Sequence, residues 1–176
     1  MTGKFRRISA EVLYTDVDLT IVDKADIELI KTLSSGNSRK RARLCTHRDT
    51  SDLLHEMLIV HESGEYVRPH RHPGKSESTH VIEGLVDIVT FHDDGRISDV
   101  FQMGDYASKR PFYYRMELPV FHTLIIRSPV LVFHETTNGP FIRDQTEFSP
   151  WGPEDSDSDS IRQFMADLEL KIRKMV

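Results

Sequence analysis

The sequence predicts an all-β protein, built as a single domain with a short N-terminal helix and a C-terminal helix. Three observations lead to this prediction. Between about residues 42 and 148, short runs rich in Val, Ile, Phe, Tyr and Thr alternate with turn residues. No segment of helix length interrupts these runs, so βαβ units are not expected. The 176 residues suit one domain, and many short strands with regular turns predict a sandwich, jelly roll or barrel.

Turn residues set the boundaries of eight predicted strands. Asp93-Asp94-Gly95 is typical of a hairpin turn, because glycine supplies the positive φ that such turns need. Glu62-Ser63-Gly64, Arg127-Ser128-Pro129 and Asn138-Gly139-Pro140 also interrupt the pattern. The predicted strands are 42–48, 54–61, 65–72, 79–92, 96–103, 111–117, 121–127 and 130–137.

Helices are predicted near both ends of the chain. Residues 23–35 have apolar side chains at helical spacing, with Asp23 as the N-cap and Gly36 after the last turn. Near the C-terminus, an acidic linker precedes a Ser160–Gln163 capping box. An apolar stripe follows it: Ile161, Phe164, Met165, Leu168, Ile172 and Met175. The expected organisation is an N-terminal extension (1–40), a barrel (41–153) and a linker with an amphipathic helix (154–176).

Composition narrows the classes of partner and location. The net charge of −5 argues against a nucleic-acid partner, which requires a basic surface, and the basic residues around 39–43 are interpreted as a solvated edge. The single cysteine, Cys45, allows no internal disulfide and favours a reducing compartment. The apolar runs are too short to span a bilayer, and no secretory signal is visible. A cytoplasmic protein with no membrane partner is expected.

Two histidines and a glutamate lie at a spacing that suits metal binding. His70 and His72 are two residues apart, so on a strand both imidazoles project from the same face. Glu77 follows a short Pro73-Gly74 turn that lets the chain return alongside them. A fourth ligand must come from elsewhere, and His122, at the start of an apolar strand, is the best candidate.

Three neutral imidazoles and one carboxylate form a ligand set of borderline softness. Such a set suits one divalent transition metal, Fe(II), Mn(II), Ni(II), Zn(II) or Co(II), and does not choose among them. In an octahedral ion, four protein ligands leave two positions for water, dioxygen or a chelating substrate. A structural zinc site would instead be closed and usually rich in sulfur.

The segment from Gly64 to Gly84 resembles the first motif of the cupin family. That motif is a glycine, five residues, HxH, three or four residues, a glutamate, six residues and a glycine, and every spacing fits this chain. The segment Leu118–His122 is similar to a degenerate second motif, in which the glycine is missing and the proline lies nearer to the histidine. The resemblance implies a cupin β-barrel, a double-stranded β-helix or jelly roll, with His70, His72, Glu77 and His122 as metal ligands.

Four further segments are similar to the WbuC family of cupin-fold metalloproteins, over roughly residues 20–155. They are Arg41–His47, Pro69–His72, Gly139–Phe141 after Glu135, and Phe148–Glu154. The resemblance implies an association with bacterial surface polysaccharide synthesis and so hints at a sugar-related role. It does not imply a particular reaction.

Other side chains near these motifs are candidates for substrate binding and catalysis. Arg43, Arg68 and Arg110 are predicted to bind substrate, because guanidinium groups grip carboxylate or phosphate bidentately. His47 and Tyr66 are the predicted catalytic residues, although His47 could equally be a surface strand residue and Tyr66 could merely pack. The remaining histidines are interpreted as structural or exposed: His55, His61, His80, His92 and His134.

Two function hypotheses follow. The first is a metal-dependent enzyme acting on a small, sugar-derived substrate, either isomerase- or epimerase-like or, with Fe(II), a dioxygenase. The second is a non-catalytic cupin module that binds a sugar or another small ligand. In both, the partner is a small molecule, and the exposed barrel edges and amphipathic tail helix are compatible with a homodimer.

Overall fold

A computed structural model describes residues 3–176 of the chain, which form short strands and two helices. The strands are β1 (Phe5–Arg7), β2 (Val12–Thr15), β3 (Arg41–Cys45), β4 (Leu54–Glu62), β5 (His70–Arg71), β6 (Glu77–Glu83), β7 (Leu85–Phe91), β8 (Ile97–Gly104), β9 (Tyr113–Met116), β10 (Phe121–Ile126), β11 (Val130–Asn138) and β12 (Glu147–Phe148). The helices are α1 (Lys24–Ser35) and α2 (Ser158–Ile172). Single 3-10 turns lie at Tyr106–Ser108 and Arg143–Gln145.

The strands form two sheets of seven and five strands. Their orders are β1-β2-β3-β4-β11-β6-β9 and β12-β5-β10-β7-β8. All neighbouring strands are antiparallel except β2 and β3, which are parallel. Two facing sheets whose consecutive strands cross from one to the other form a jelly roll. The predicted all-β jelly roll with two helices is confirmed.

The central strands of both sheets carry apolar side chains on both faces, whereas the edge strands β8 and β9 are largely exposed. Inner side chains from the two sheets pack between them, including Met57, Val81 and Ile88. On the outer face of the seven-stranded sheet, α1 packs Ile30 against neighbours on β3, β4 and β11. On the outer face of the five-stranded sheet, α2 packs Leu168 and Ile172 against β7 and β10. Each helix therefore covers one sheet, because an apolar outer face must be shielded from water.

Helix α1 begins where the sequence predicts. The carboxylate of Asp23 accepts hydrogen bonds from the backbone N–H groups of Ala25 and Asp26, and the Asp26 side chain accepts one from the Asp23 N–H. This reciprocal capping box satisfies donors that the first helical turn cannot pair internally. Gly36 is the C-cap, as the sequence predicts.

Helix α2 packs on the barrel but begins earlier than predicted. Its N-cap is Asp157, whose carboxylate accepts hydrogen bonds from the backbone N–H and the hydroxyl of Ser160. Ser160 therefore lies inside the first turn, and the predicted Ser160–Gln163 capping box is wrong. Aspartate and serine are about equally good N-caps, so a sequence that offers both in succession leaves the start of the helix open.

Two predicted strands differ from the structure. The predicted strand 79–92 is two strands, β6 and β7, which belong to different sheets and meet at Gly84. Gly84 has a φ of +95°, a conformation that β-branched strand residues avoid, so the chain leaves one sheet there and enters the other. The predicted strand 65–72 shortens to β5, because Pro69 has no N–H to donate to a sheet.

The N-terminal segment contributes strands that the sequence did not predict. Strand β2 pairs with β3 in parallel, and β1 pairs with β2, so both extend the seven-stranded sheet. The predicted extension 1–40 is therefore structurally continuous with the barrel over its described part, and only residues 1 and 2 lie outside it. Within residues 3–176, neither helix has the length and apolarity that crossing a membrane would require.

Candidate metal centre

Three imidazoles meet at the wall of the barrel interior. His70 lies on β5, His72 directly follows that strand, and His122 lies on β10. Strands β5 and β10 are antiparallel neighbours, with His70 and His122 in register with each other. One ring nitrogen from each histidine lies within 4.8 Å of those of the other two. Three imidazoles at this separation could hold a metal ion.

Backbone carbonyls orient two of these rings. Nδ1 of His70 lies 2.8 Å from the carbonyl oxygen of Arg68, and Nδ1 of His122 lies 3.0 Å from that of Val120. A carbonyl oxygen can only accept, so each Nδ1 carries the proton and donates it. The lone pair is then on Nε2 in both rings, which is the arrangement that metal-ligating histidines adopt.

Glu77 supplies a carboxylate beside the imidazoles. Its Oε1 lies 3.4 Å from Nε2 of His122, and its Oε2 lies 3.5 Å from Nε2 of His72. Two ligand atoms that each lie about 2.1 Å from one ion are separated by about 3.0–3.4 Å. The two Glu77 contacts are close to this spacing, whereas the group whose ligand atoms all lie within 4.8 Å of one another comprises the three histidines without Glu77. The structure brings all four predicted metal ligands, His70, His72, Glu77 and His122, into one cluster.

Burial sets the charges of this cluster. Burial, together with the smaller effect of the neighbouring imidazoles, lowers the pKa of His70 to about 3 and the pKa values of His72 and His122 to about 4. Burial also raises the pKa of Glu77. The three imidazoles are therefore neutral at physiological pH, which is the form that binds metal.

The cluster faces a cavity of about 300 Å³ inside the barrel. Strand periodicity determines which side chains line it, since alternate residues point to the same face of a sheet. Strand β4 contributes every second residue from His55 to His61, which makes four. Strand β11 contributes every second residue from Phe133 to Thr137. The polar and charged lining residues are Tyr14, Arg41, Arg43, His47, Thr50, His55, His61, His70, His72, Lys75, Glu77, Tyr114, His122, Glu135, Thr137 and Thr146.

The two predicted catalytic residues are in different places. His47 is buried, lines the cavity and stacks on His55 with ring centroids 4.1 Å apart. Tyr66 is not among the lining residues, and its hydroxyl donates to the carbonyl oxygen of Pro153 at 3.0 Å. The structure therefore does not bring Tyr66 to the metal cluster: its hydroxyl joins the barrel to the segment that leads to α2.

The three arginines predicted to bind substrate also lie in different places. Arg43 lines the cavity, and Arg68 lines a neighbouring cleft that shares Arg43 and Thr146 with it. Arg110 lines neither space; it follows the 3-10 turn before β9. Arg110 is thus outside the candidate site, because the turn places it beyond the end of a strand at the edge of the sheet.

Sequence reasoning missed several lining residues. His55 and His61 were interpreted as structural or exposed, yet both are buried and line the cavity, as does Glu135. Alternation along β4 could have found the two histidines, since both share a face with Met57 and Ile59. Burial, together with the smaller effect of the Glu77 charge, raises the pKa of Glu135 to about 8.

Comparisons with known proteins agree with this architecture. A family model described as a domain of unknown function, DUF6016, matches residues 22–103, which is less than half of the chain. No curated protein sequence matches the chain. The fold is similar to that of protein SO0799 from Shewanella oneidensis, with a TM-score of 0.50 and 13% identity over 60% of this chain and 72% of that one.

The fold is also similar to that of the capsular polysaccharide assembling protein CapF from Staphylococcus aureus. The TM-score is 0.51 and the identity 16%, over 64% of this chain and 32% of CapF. This chain thus spans about a third of CapF. Both neighbours have the cupin fold, and this chain shares that fold. Identities this low concern the fold alone.

Proposed function

We propose that this chain is a metal-dependent enzyme that acts on a small, sugar-derived substrate in the barrel cavity. One observation carries the proposal: His70, His72, Glu77 and His122 lie together at the wall of a cavity of about 300 Å³. A structural metal site would be enclosed by its ligands, whereas a catalytic site keeps space beside the ion for substrate.

The ligand set fits one divalent transition ion, Fe, Mn, Ni, Zn or Co. When bound, such an ion would polarise a carbonyl or hydroxyl oxygen of the substrate, and Fe(II) would also support dioxygen chemistry. The chain itself orients the ligands. The carbonyls of Arg68 and Val120 hold the rings of His70 and His122, and the Tyr114 hydroxyl holds Glu77.

Isomerisation or epimerisation requires a base, and His47 is the proposed one. Its Nδ1 lies 3.1 Å from the carbonyl oxygen of Glu56; when Nδ1 carries the proton and donates it to this oxygen, the lone pair is on Nε2, which can then accept a proton. Burial lowers the pKa of His47, which keeps the ring neutral and able to accept a proton at physiological pH. Tyr66, bonded to Pro153, has no part in this proposal.

The biological setting is also a proposal. Resemblance to WbuC-type cupins favours polysaccharide-related metabolism, and the fold similarity to the capsular polysaccharide assembling protein CapF is in line with that setting. We further propose a cytoplasmic protein with a small-molecule partner and no nucleic-acid or membrane partner, and the exposed edge strands β8 and β9 are compatible with a homodimer.

The test combines metal analysis with turnover. The purified protein is analysed for bound metals by plasma emission, and candidate sugar phosphates and nucleotide sugars are assayed with wild type, His72→Ala and His92→Ala. His92 is exposed at the turn between β7 and β8 and serves as the control. We expect His72→Ala to lose both metal and turnover, and His92→Ala to keep both. Equal turnover in His72→Ala and wild type would remove the metal from the mechanism.

The same assay separates the enzyme from a non-catalytic binding module. Apolar side chains of Met57, Ile59, Leu124 and Phe133 line the cavity beside its polar groups, so a ligand could bind there without reacting. A ligand that raises the melting temperature but is recovered chemically unchanged would favour the binding module.

A further inference from the structure

An arginine-rich cleft of about 620 Å³ lies beside the metal cavity. Its walls include five arginines, against two acidic residues, Glu154 and Asp155. Cleft and cavity are adjacent, because Arg41, Arg43, Phe141 and Thr146 line both. The five arginines come from three parts of the chain: Arg39, Arg41, Arg43, Arg68 and Arg143.

Two of these arginines already have acidic partners. Arg39 lies 3.1 Å from the carboxylate of Asp155, and Arg41 lies 3.0 Å from that of Glu65 and 3.3 Å from that of Glu11. Arg43, Arg68 and Arg143 form no ion pair with any residue of the described part of the chain. This concentration of unpaired positive charge stands out in a chain with 28 acidic and 23 basic residues.

The guanidinium of Arg68 packs against an aromatic ring and leaves hydrogen-bond donors without a partner in the described residues. Its guanidinium lies over the ring of Phe148, 4.9 Å from the centroid, and its Nε is buried without a hydrogen-bond partner within residues 3–176. A buried charged donor without an acceptor raises the free energy of the folded protein. A ligand that supplies an acceptor at this position would therefore bind favourably. The Phe148 ring fixes the orientation of the Arg68 side chain, and the N–H donors of Arg68 remain free.

We propose that this cleft binds the phosphate or diphosphate group of the substrate, through Arg43, Arg68 and Arg143. The inference rests on the proposed function, since it names the part of the substrate that lies outside the metal cavity. Guanidinium groups recognise phosphate oxygens by paired hydrogen bonds, and three of them from separate segments can surround one such group. The shared lining of cleft and cavity lets one molecule occupy both.

The test measures anion binding separately from metal binding. Titration calorimetry compares inorganic pyrophosphate, a hexose 1-phosphate and a nucleoside diphosphate on metal-loaded wild type, Arg43→Gln, Arg68→Gln and Arg143→Gln. Arg110→Gln is the matched control, since that arginine lies outside the cleft. We expect each cleft variant to weaken binding of at least one of these anions about tenfold, and Arg110→Gln to leave it unchanged.

A second comparison keeps this inference distinct from the proposed function. Pyrophosphate should bind His72→Ala about as tightly as wild type, because the anion contacts arginines and not the ion. Binding that disappears in His72→Ala would place the anion on the metal and overturn the inference. So would the absence of binding by all three probes, or binding that is equal in wild type and in Arg43→Gln and Arg143→Gln. Both of those arginines are exposed, so their variants are expected to fold even where Arg68→Gln does not.

The ranking of the probes identifies the source of the phosphate. Tighter binding of the nucleoside diphosphate than of pyrophosphate would support a nucleotide-linked substrate, with Phe141 and Phe148, about half exposed, as surfaces for the base. Tighter binding of the hexose 1-phosphate would support a sugar phosphate whose hydroxyl groups reach the metal cavity.

Discussion

The hydroxyl of Tyr114 donates a hydrogen bond to Oε1 of Glu77 at 3.1 Å. The same oxygen lies 3.4 Å from Nε2 of His122, so the phenol holds the carboxylate where it can share an ion with that imidazole. Tyr114 lies on β9, directly opposite Thr79 on β6. Thr79 is two residues beyond Glu77 on β6. An edge strand thereby positions a candidate metal ligand on the neighbouring strand.

Tyr114→Phe should weaken metal binding while leaving the fold intact. The substitution removes only the hydroxyl, and loss of an outer partner of a metal ligand typically costs about tenfold or more in affinity. Competition against a chromophoric chelator measures the affinity. Tyr113→Phe is the control, because Tyr113 is 54% exposed on the same strand and should retain wild-type affinity. Equal affinities for the two variants would show that the hydroxyl does not position Glu77.

His61 should make the stability of the protein depend on pH. Burial lowers its pKa from 6.5 to about 4, with the charge of Arg43 adding to the shift. Between these two values the unfolded state binds more protons than the folded state, so the free energy of unfolding falls as the pH is lowered from 6.5 to about 4. At about 1.4 kcal/mol per pKa unit, the contribution is on the order of 3 kcal/mol.

His61→Leu should therefore flatten the acid side of the stability curve. Urea unfolding at a series of pH values, with wild type and variant in the same metal state, measures the difference. The exposed His92→Leu should follow the wild-type curve. Parallel curves for wild type and His61→Leu would mean that His61 titrates normally in the folded protein.

Gly84→Ala should destabilise the protein by more than about 2 kcal/mol. Gly84 has a φ of +95°, and a Cβ there would lie 2.4 Å from both the Val130 carbonyl oxygen and the Ser128 hydroxyl. Gly64 is the matched control, since its φ is +83° but the nearest atom to an added Cβ is Lys40 Nζ at 3.7 Å. Gly64→Ala should cost only the backbone strain, about 1–2 kcal/mol.

Chemical denaturation of both alanine variants separates backbone strain from steric overlap. The Gly84 variant should unfold at clearly lower denaturant than the Gly64 variant. If the two midpoints coincide, the close approach of Val130 has no energetic consequence, and the shared positive φ explains the whole effect.

Leu168→Ala should destabilise the protein by about 3 kcal/mol, because it opens a cavity between α2 and the five-stranded sheet. Leu168 is 2% exposed and packs in the cluster that includes Phe121 and Ile125. Leu170, on the same helix, is 57% exposed, so Leu170→Ala should change stability by less than about 0.5 kcal/mol. Similar thermal unfolding of the two variants would contradict the docking of α2 on the barrel.

The sequence alone determined the parts of this protein that depend on local geometry. The spacing of His70 and His72 places both on one face because side chains alternate along a strand, and a short turn returns Glu77 to them. The Asp23 cap and the Gly36 stop of α1 are likewise set by hydrogen bonds between residues a few positions apart. Such features follow from backbone geometry, which neighbouring residues define.

Only the tertiary structure decided which distant side chains meet. His122 joins His70 because β10 and β5 pair in one register, and Arg43, Arg68 and Arg143 converge because three separate segments border one cleft. The Tyr66 hydroxyl is directed to Pro153 by the segment that leads to α2. Register and packing arise from many weak contacts summed over the whole barrel, so no short stretch of sequence contains them.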